Sequence, residues 1–87
     1  MRKPKGVVAV YDSGPDEGID RYTLVLSLDY TANVGYRQML GMSGSPSHPQ
    51  GVSQFGEGLW GDHLGKRIKF QDLPENVQAH AIARLTD

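Results

Sequence analysis

The sequence predicts a small α+β domain: a two-layer sandwich in which a three- or four-stranded antiparallel sheet carries one C-terminal helix and a long glycine-rich loop. Three observations lead there. In "RYTLVLSLDY", Tyr22, Leu24, Leu26, Leu28 and Tyr30 fall on one face and Arg21, Thr23, Val25, Ser27 and Asp29 on the other, the period of a half-buried antiparallel strand. Near the C-terminus Leu73, Val77, Ala81, Ile82 and Leu85 recur at helical spacing, with Glu75, Gln78, His80 and Arg84 off that stripe. The chain has 87 residues. A chain of this size forms a single domain that buries only about 60–65% of its unfolded surface.

The elements follow in order. Residues 1–6 carry Arg2, Lys3 and Lys5 and read as a solvated, flexible basic tail. "VVAVY", Val7–Tyr11, is β-branched and aromatic and ends at the turn cluster "DSGPDEG". After the alternating strand, "TANVG" supplies a turn, and "YRQMLGM", Tyr36–Met42, reads as a third strand with Gly41 at a bulge or close approach. "KRIKF", Lys66–Phe70, is a short amphipathic strand suited to an edge, where lysines discourage unwanted pairing. Residues 72–86 form the helix. Asp72 is placed as its N-cap, Glu75 completes a capping-box spacing, and Pro74 sits in the first turn.

Composition narrows the function classes. There is no cysteine, so disulfides, thiolate metal sites and a cysteine nucleophile are excluded. The N-terminus has too short an apolar run for a signal peptide, and no segment has the length of a membrane span, so the expected location is the cytoplasm. A formal net charge of −1 argues against a dedicated partner of nucleic-acid polymers. Nothing calls for a cofactor. The three histidines, His48, His63 and His80, lack metal-ligand spacing. "GDHLGKR" is one residue short of a phosphate-binding P-loop and has Arg67 where a hydroxyl must hold magnesium. "GMSGS" misses the nucleophile-elbow pattern at its last position. His80 reads as a helix residue that suits the dipole at a C-terminal end.

Residues 43–65 remain, including "GSPSHPQGVSQFGEG", with no recognisable strand or helix. Loops of this length inside compact domains are uncommon and are functional or disordered. Phe55, Leu59, Trp60 and Leu64 give this one apolar anchors, and seven of the eleven glycines lie between Gly41 and Gly65. The expectation is an ordered loop forming one wall of a ligand site. Arg21, Arg37, Lys66 and Arg67 could pair with phosphate. Backbone N–H groups around Gly51 could cradle it. Tyr22, Tyr36, Phe55 and Trp60 could stack on a base, His48 and Gln50 could supply edge hydrogen bonds, and His63 joins the site beside the cationic pair Lys66–Arg67.

The segments D-R-Y-T at Asp20–Thr23, G-M-S at Gly41–Ser43, H-P-Q-G-V-S-Q-F-G-E at His48–Glu57, H-L-G-K-R-I at His63–Ile68 and D-L-P-E at Asp72–Glu75 resemble a group of small bacteriophage and prophage proteins to which no activity is assigned. The resemblance covers most of the chain after residue 10. It implies a phage-encoded accessory protein acting in a bacterial host cell, of the kind that counters host defence. Three functions follow from different classes. The first is a homo-oligomeric binding protein that sequesters a small nucleotide signal. The second is a metal-independent phosphodiesterase with His48 and His63 as catalytic acid and base. The third is an inhibitor that covers a host defence protein, with Trp60, Tyr36 and Arg37 as hot spots.

Overall fold

The computed structural model describes residues 3–4, 6–14, 21–29, 36–46, 48, 51, 53–59 and 61–85. Its strands are β1 (Val7–Asp12), β2 (Tyr22–Asp29), β3 (Tyr36–Met42), β4 (Ser53–Leu59) and β5 (Lys66–Ile68), followed by the helix α1 (Glu75–Leu85). They form one antiparallel sheet in the order β4-β3-β2-β1-β5. A single C-terminal helix on an antiparallel sheet is the predicted α+β class, with five strands among the described residues where three or four were expected.

The additional strand is β4, inside the stretch read as a structureless loop. Its sequence, "SQFGEGL", hides the alternation. Phe55 and Leu59 mark one side, while Gly56 and Gly58 occupy the other and carry no side chain to signal burial. Pairing with β3 is continuous from Tyr36↔Leu59 to Met42↔Ser53. Gly41 sits in that regular ladder, opposite Thr23 on one side and Gln54 on the other, so no bulge occurs there.

Irregularities lie elsewhere, in the β2–β3 ladder between Val25 and Asp29 and in β1. Val7 pairs with Leu26 and Ala9 with Val25, so Val8 is the extra residue. The phase change sends Val7 and Val10 to one side of the sheet and Val8, Ala9 and Tyr11 to the other. On the first side Leu24, Leu26, Leu40 and Met42 pack with Val77 and Ala81 of α1 and with Phe70 and Leu73, while Ile68, Ile82 and Leu85 close the margin. Leu24, Leu40 and Val77 are wholly buried. Each such side chain contributes about 1.5–3 kcal/mol by leaving water. The predicted apolar stripe of the helix is therefore its core face. Leu28 was assigned to the buried side of β2, but its side chain lies outside the described residues, as does Tyr30.

The helix start differs from expectation. Pro74 supplies the carbonyl that accepts the first helical hydrogen bond, from Gln78 N–H at 3.0 Å, so α1 begins at Glu75. Asp72 belongs to a 3-10 turn at Phe70–Asp72, where its carboxylate accepts the Lys69 N–H at 3.0 Å. That turn takes Phe70 out of β5 and into the core. Gln78, expected on the solvated side, is buried. Its Nε2 donates to the carbonyls of Leu73 (2.8 Å) and Gln71 (3.2 Å), which ties the turn to the helix.

β4 and β5 lie at opposite edges, so the chain between them crosses the side of the sheet away from α1. A 3-10 turn at Asp62–Leu64 makes the crossing, and Leu64 packs on the cluster of Ala9, Tyr11, Val25 and Met39. Gly65 then returns the chain to the end of β1 with φ +118°. A Cβ there would stand 2.5 Å from the Asp12 carbonyl oxygen. The Gly65→Ala variant is expected to lose at least about 2 kcal/mol of unfolding free energy. Gly56→Ala, whose Cβ meets no atom within 4 Å, is expected to lose less than about 1 kcal/mol. Urea denaturation of the two variants checks the contrast, and equal losses would contradict the tight approach.

Candidate functional site

The predicted site residues separate into four places. Arg21 and Tyr22 lie where β1 and β2 end together. The Arg21 Nε donates to Asp12 Oδ1 at 3.1 Å and Nη2 to Oδ2 at 3.4 Å, a forked ion pair. The guanidinium also lies 5.0 Å from the Tyr22 ring centroid. Tyr22 itself is buried in the core beneath α1, away from any stacking surface. The Arg21 hydrogen bond holds the Asp12 carboxyl below the usual carboxylate range, and burial opposes it. The Gly14 N–H (2.9 Å to Oδ1) and the charges of Arg21 and Lys66 lower it further.

The second place is the β3–β4 connection. His48 is exposed; its N–H donates to Ser45 O at 3.1 Å and its carbonyl accepts the Gly51 N–H at 2.7 Å. A Cβ on Gly51 would stand 1.9 Å from Ser45 O, so this glycine is required for a close backbone approach. Three helix residues at i, i+4 and i+8 hold this region. Asn76 Nδ2 donates to Gly44 O (3.2 Å), His80 Nε2 bonds Ser53 Oγ (2.8 Å), and the Arg84 guanidinium lies 4.8 Å from the Phe55 ring centroid. Asn76, His80 and Ser53 were not predicted as a group, although the four-residue spacing placed them on one line of the helix. Gln50 and Trp60 lie outside the described residues.

Third is a groove of about 260 Å³ on the sheet side away from α1. Its floor is Gly41, Gly56 and Gly58 with Met39; Thr23, Gln54, His63 and Leu64 line it, and Phe55 and Leu59 border it at the sheet edge. Four of the motif segments meet here: Thr23 of D-R-Y-T, Gly41 of G-M-S, Gln54–Gly56 of the longest segment, and His63–Leu64 of H-L-G-K-R-I. Arg37 pairs with Gly58 in the ladder and is half-buried. His48 is not among the lining residues, so the groove gathers one of the two histidines.

The fourth place is a larger cleft of about 360 Å³ at the opposite edge. It exists because β5 pairs with β1 only from Val10↔Ile68 to Asp12↔Lys66 and then leaves the sheet. The stretch of β1 at Val8 and Ala9 is left beside open space. Among the described residues the cleft is lined by the apolar Val8, Ala9, Val10, Ile68 and Phe70 and by Lys3, Arg67, Lys69 and Gln71, with no carboxylate. Arg67 Nη2 reaches Val8 O at 3.4 Å. Lys66, next to Arg67, is exposed and stands opposite Asp12 rather than in this cleft.

Among the described residues no three histidine or carboxylate side chains group to hold a metal ion, and no helix is long and apolar enough to cross a membrane. No family model, curated protein or solved structure matches the chain.

The Asp12–Arg21 pair carries a pH dependence of fixed sign. A carboxyl whose pKa falls on folding adds stability above its unfolded pKa, about 3.9. That contribution disappears as pH drops through the lower folded value. Asp12→Asn is therefore expected to be less stable than the native chain at pH 7, with the difference shrinking below about pH 4. Urea midpoints from pH 7 to pH 2.5 check this; a difference that stays constant would contradict it.

Proposed function

We propose that the chain is a binding protein that sequesters a small phosphorylated ligand of the nucleotide class in the cleft at the β1–β5 edge. One observation supports the reading above others: three cationic side chains, Lys3, Arg67 and Lys69, line the cleft beside apolar residues, with no carboxylate among the described lining residues, on a chain whose net charge is −1. Guanidinium and ammonium groups pair with phosphate oxygens, and the partly exposed Val8 and Ile68 offer apolar contact to a base or the sugar. A cleft of about 360 Å³ falls at the small end of the usual range for ligand sites, about 300–1,000 Å³. Relative to the sequence expectation, the site moves from the glycine-rich stretch to the opposite edge of the sheet, keeping Arg67 as its anchor. The motif resemblance adds the setting: a phage-encoded accessory protein that holds a nucleotide immune signal in the host cell.

Binding is favoured over cleavage because a phosphodiester mechanism needs a base, an acid and a cation around one phosphate. Among the described residues the cleft lining has the cations and no histidine, while the groove lining has His63 and no cation. A protein-binding role draws its support from another surface, the exposed Phe55 and Leu59 of β4.

The test is a thermal-shift series with inorganic pyrophosphate, adenosine monophosphate, adenosine diphosphate ribose and cyclic dinucleotides, each ligand being recovered and checked by chromatography. A ligand at about 100 times its dissociation constant adds roughly 2.7 kcal/mol, which raises the midpoint of a small domain by many degrees. The expected result is a shift with intact ligand, weakened by salt and lost in Arg67→Glu/Lys69→Glu. No shift across the series, or a shift that this double variant retains, would contradict the site; a consumed ligand would contradict sequestration.

A further inference from the structure

The cleft at the β1–β5 edge draws its cations from two separate parts of the chain. Arg67 and Lys69 lie two residues apart, and Lys69 keeps extended dihedrals, φ −84° and ψ 155°, beyond the end of β5. Alternation therefore sets them on the same side of the strand, about 6.6 Å apart along the backbone. Ile68 and Phe70, which alternate with them, go the other way and pack in the core beneath α1. Arg67 is steered toward β1, because its Nη2 donates at 3.4 Å to the carbonyl of Val8, the extra residue of the bulge. That bond uses one of the five N–H donors of a guanidinium. The third cation, Lys3, comes from the basic N-terminal segment. Pro4 beside it is buried. The Pro4 carbonyl accepts the Val7 N–H at 3.4 Å, closing a four-residue turn whose third position, Gly6, has φ +93°. The turn runs straight into β1 and brings Lys3, itself exposed, to the lining of the cleft that β1 borders.

We propose that Lys3 completes a site selective for two linked phosphoryl groups, so that the cleft takes nucleoside diphosphates and other pyrophosphate esters in preference to monophosphates. This selectivity rests on the cleft being the phosphate site proposed above. A phosphate monoester carries a charge of about −1.5 to −2 at pH 7, which Arg67 and Lys69 balance from one stretch of chain. The guanidinium of Arg67 offers a planar fork to that group, and Lys69 adds a point charge on a flexible stem. A second phosphoryl group brings further negative charge and calls for a third cation. Lys3 supplies it from a segment that enters the lining independently of β5 and the turn after it. With a monophosphate bound against Arg67 and Lys69, the Lys3 ammonium keeps its water. Its contribution to affinity is therefore made to the second phosphoryl group.

Titration calorimetry with adenosine monophosphate and adenosine diphosphate at low salt tests the proposal. The native chain is expected to bind the diphosphate about tenfold or more tightly than the monophosphate. Lys3→Ala truncates an exposed side chain. It is expected to weaken the diphosphate about tenfold and the monophosphate less than about threefold, which removes most of the preference. Arg84→Gln removes one positive charge beside β4, at the other edge of the sheet, and is expected to leave the preference in place. Three results would overturn the selectivity while leaving the phosphate site standing: equal affinities in the native chain, a preference or equal weakening of both ligands in Lys3→Ala, or a preference lost in Arg84→Gln. Binding of neither ligand, or binding that survives Arg67→Glu/Lys69→Glu, would overturn the site and the selectivity together.

Discussion

One helix can seal one side of one sheet, and the rest of this molecule depends on that limit. α1 has eleven residues, about 16 Å of helix, and spends its apolar stripe on Leu24, Leu26, Leu40 and Met42. Five strands at about 4.8 Å spacing are wider than the helix is long. Among the described residues a short crossing segment, Asp62–Leu64, covers the other side. Leu64 caps the middle of that side over Val25 and Met39. Among the described residues no element covers the β3–β4 half, and there Gly41, Gly56 and Gly58 line the groove. The groove is thus the packing solution for a sheet side without a second layer, which avoids a solvent-facing row of leucines.

Control of the two margins follows from the same economy. On the β4 side, Asn76, His80 and Arg84 form a polar line along α1 that reaches Gly44, Ser53 and Phe55. This line ties the β3–β4 connection and the edge strand to the helix without apolar cover. On the β1 side, the β-bulge at Val8 and the 3-10 turn at Phe70–Asp72 end the pairing early. That early end opens the cleft between Lys3, Arg67 and Lys69. The margins therefore differ in chemistry: one is long and carries the exposed Phe55 and Leu59, and the other is short and cationic.

The legible parts of the fold were those that a local period can encode. The core face of β2 at Tyr22, Leu24 and Leu26 and the helix stripe follow the predicted periods because large side chains carry them, whereas Val25, placed on the wet face, is buried under Leu64. β4 escaped because Gly56 and Gly58 remove one half of its alternation, and Gly41 was read as an irregularity where it widens a groove in a regular ladder. Asp72 was placed as the helix cap because its spacing to Glu75 suits that role; the 3-10 turn claimed it first. The candidate site depended on register, which no local pattern reveals. Arg21 is drawn to Asp12 because β1 and β2 end together, Tyr22 points into the core by strand phase, and Arg67 borders a cleft set by where β5 stops pairing. The predicted residues are therefore spread over the sheet: Arg67 borders the β1–β5 cleft, Arg21 and Tyr22 lie at the start of β2, Arg37 lies on β3, and Phe55 and His63 border the groove.

The most direct measurement is an amide chemical-shift titration of the labelled protein with adenosine monophosphate at low salt, since it reports on both concave surfaces at once. The account expects saturable shifts at Val8, Ala9, Arg67, Lys69 and Gln71, with Thr23, Gly41, Gly56 and His63 unmoved. Shifts centred on the glycine groove, or none at saturating ligand, would contradict the assignment of the cationic cleft as the binding site.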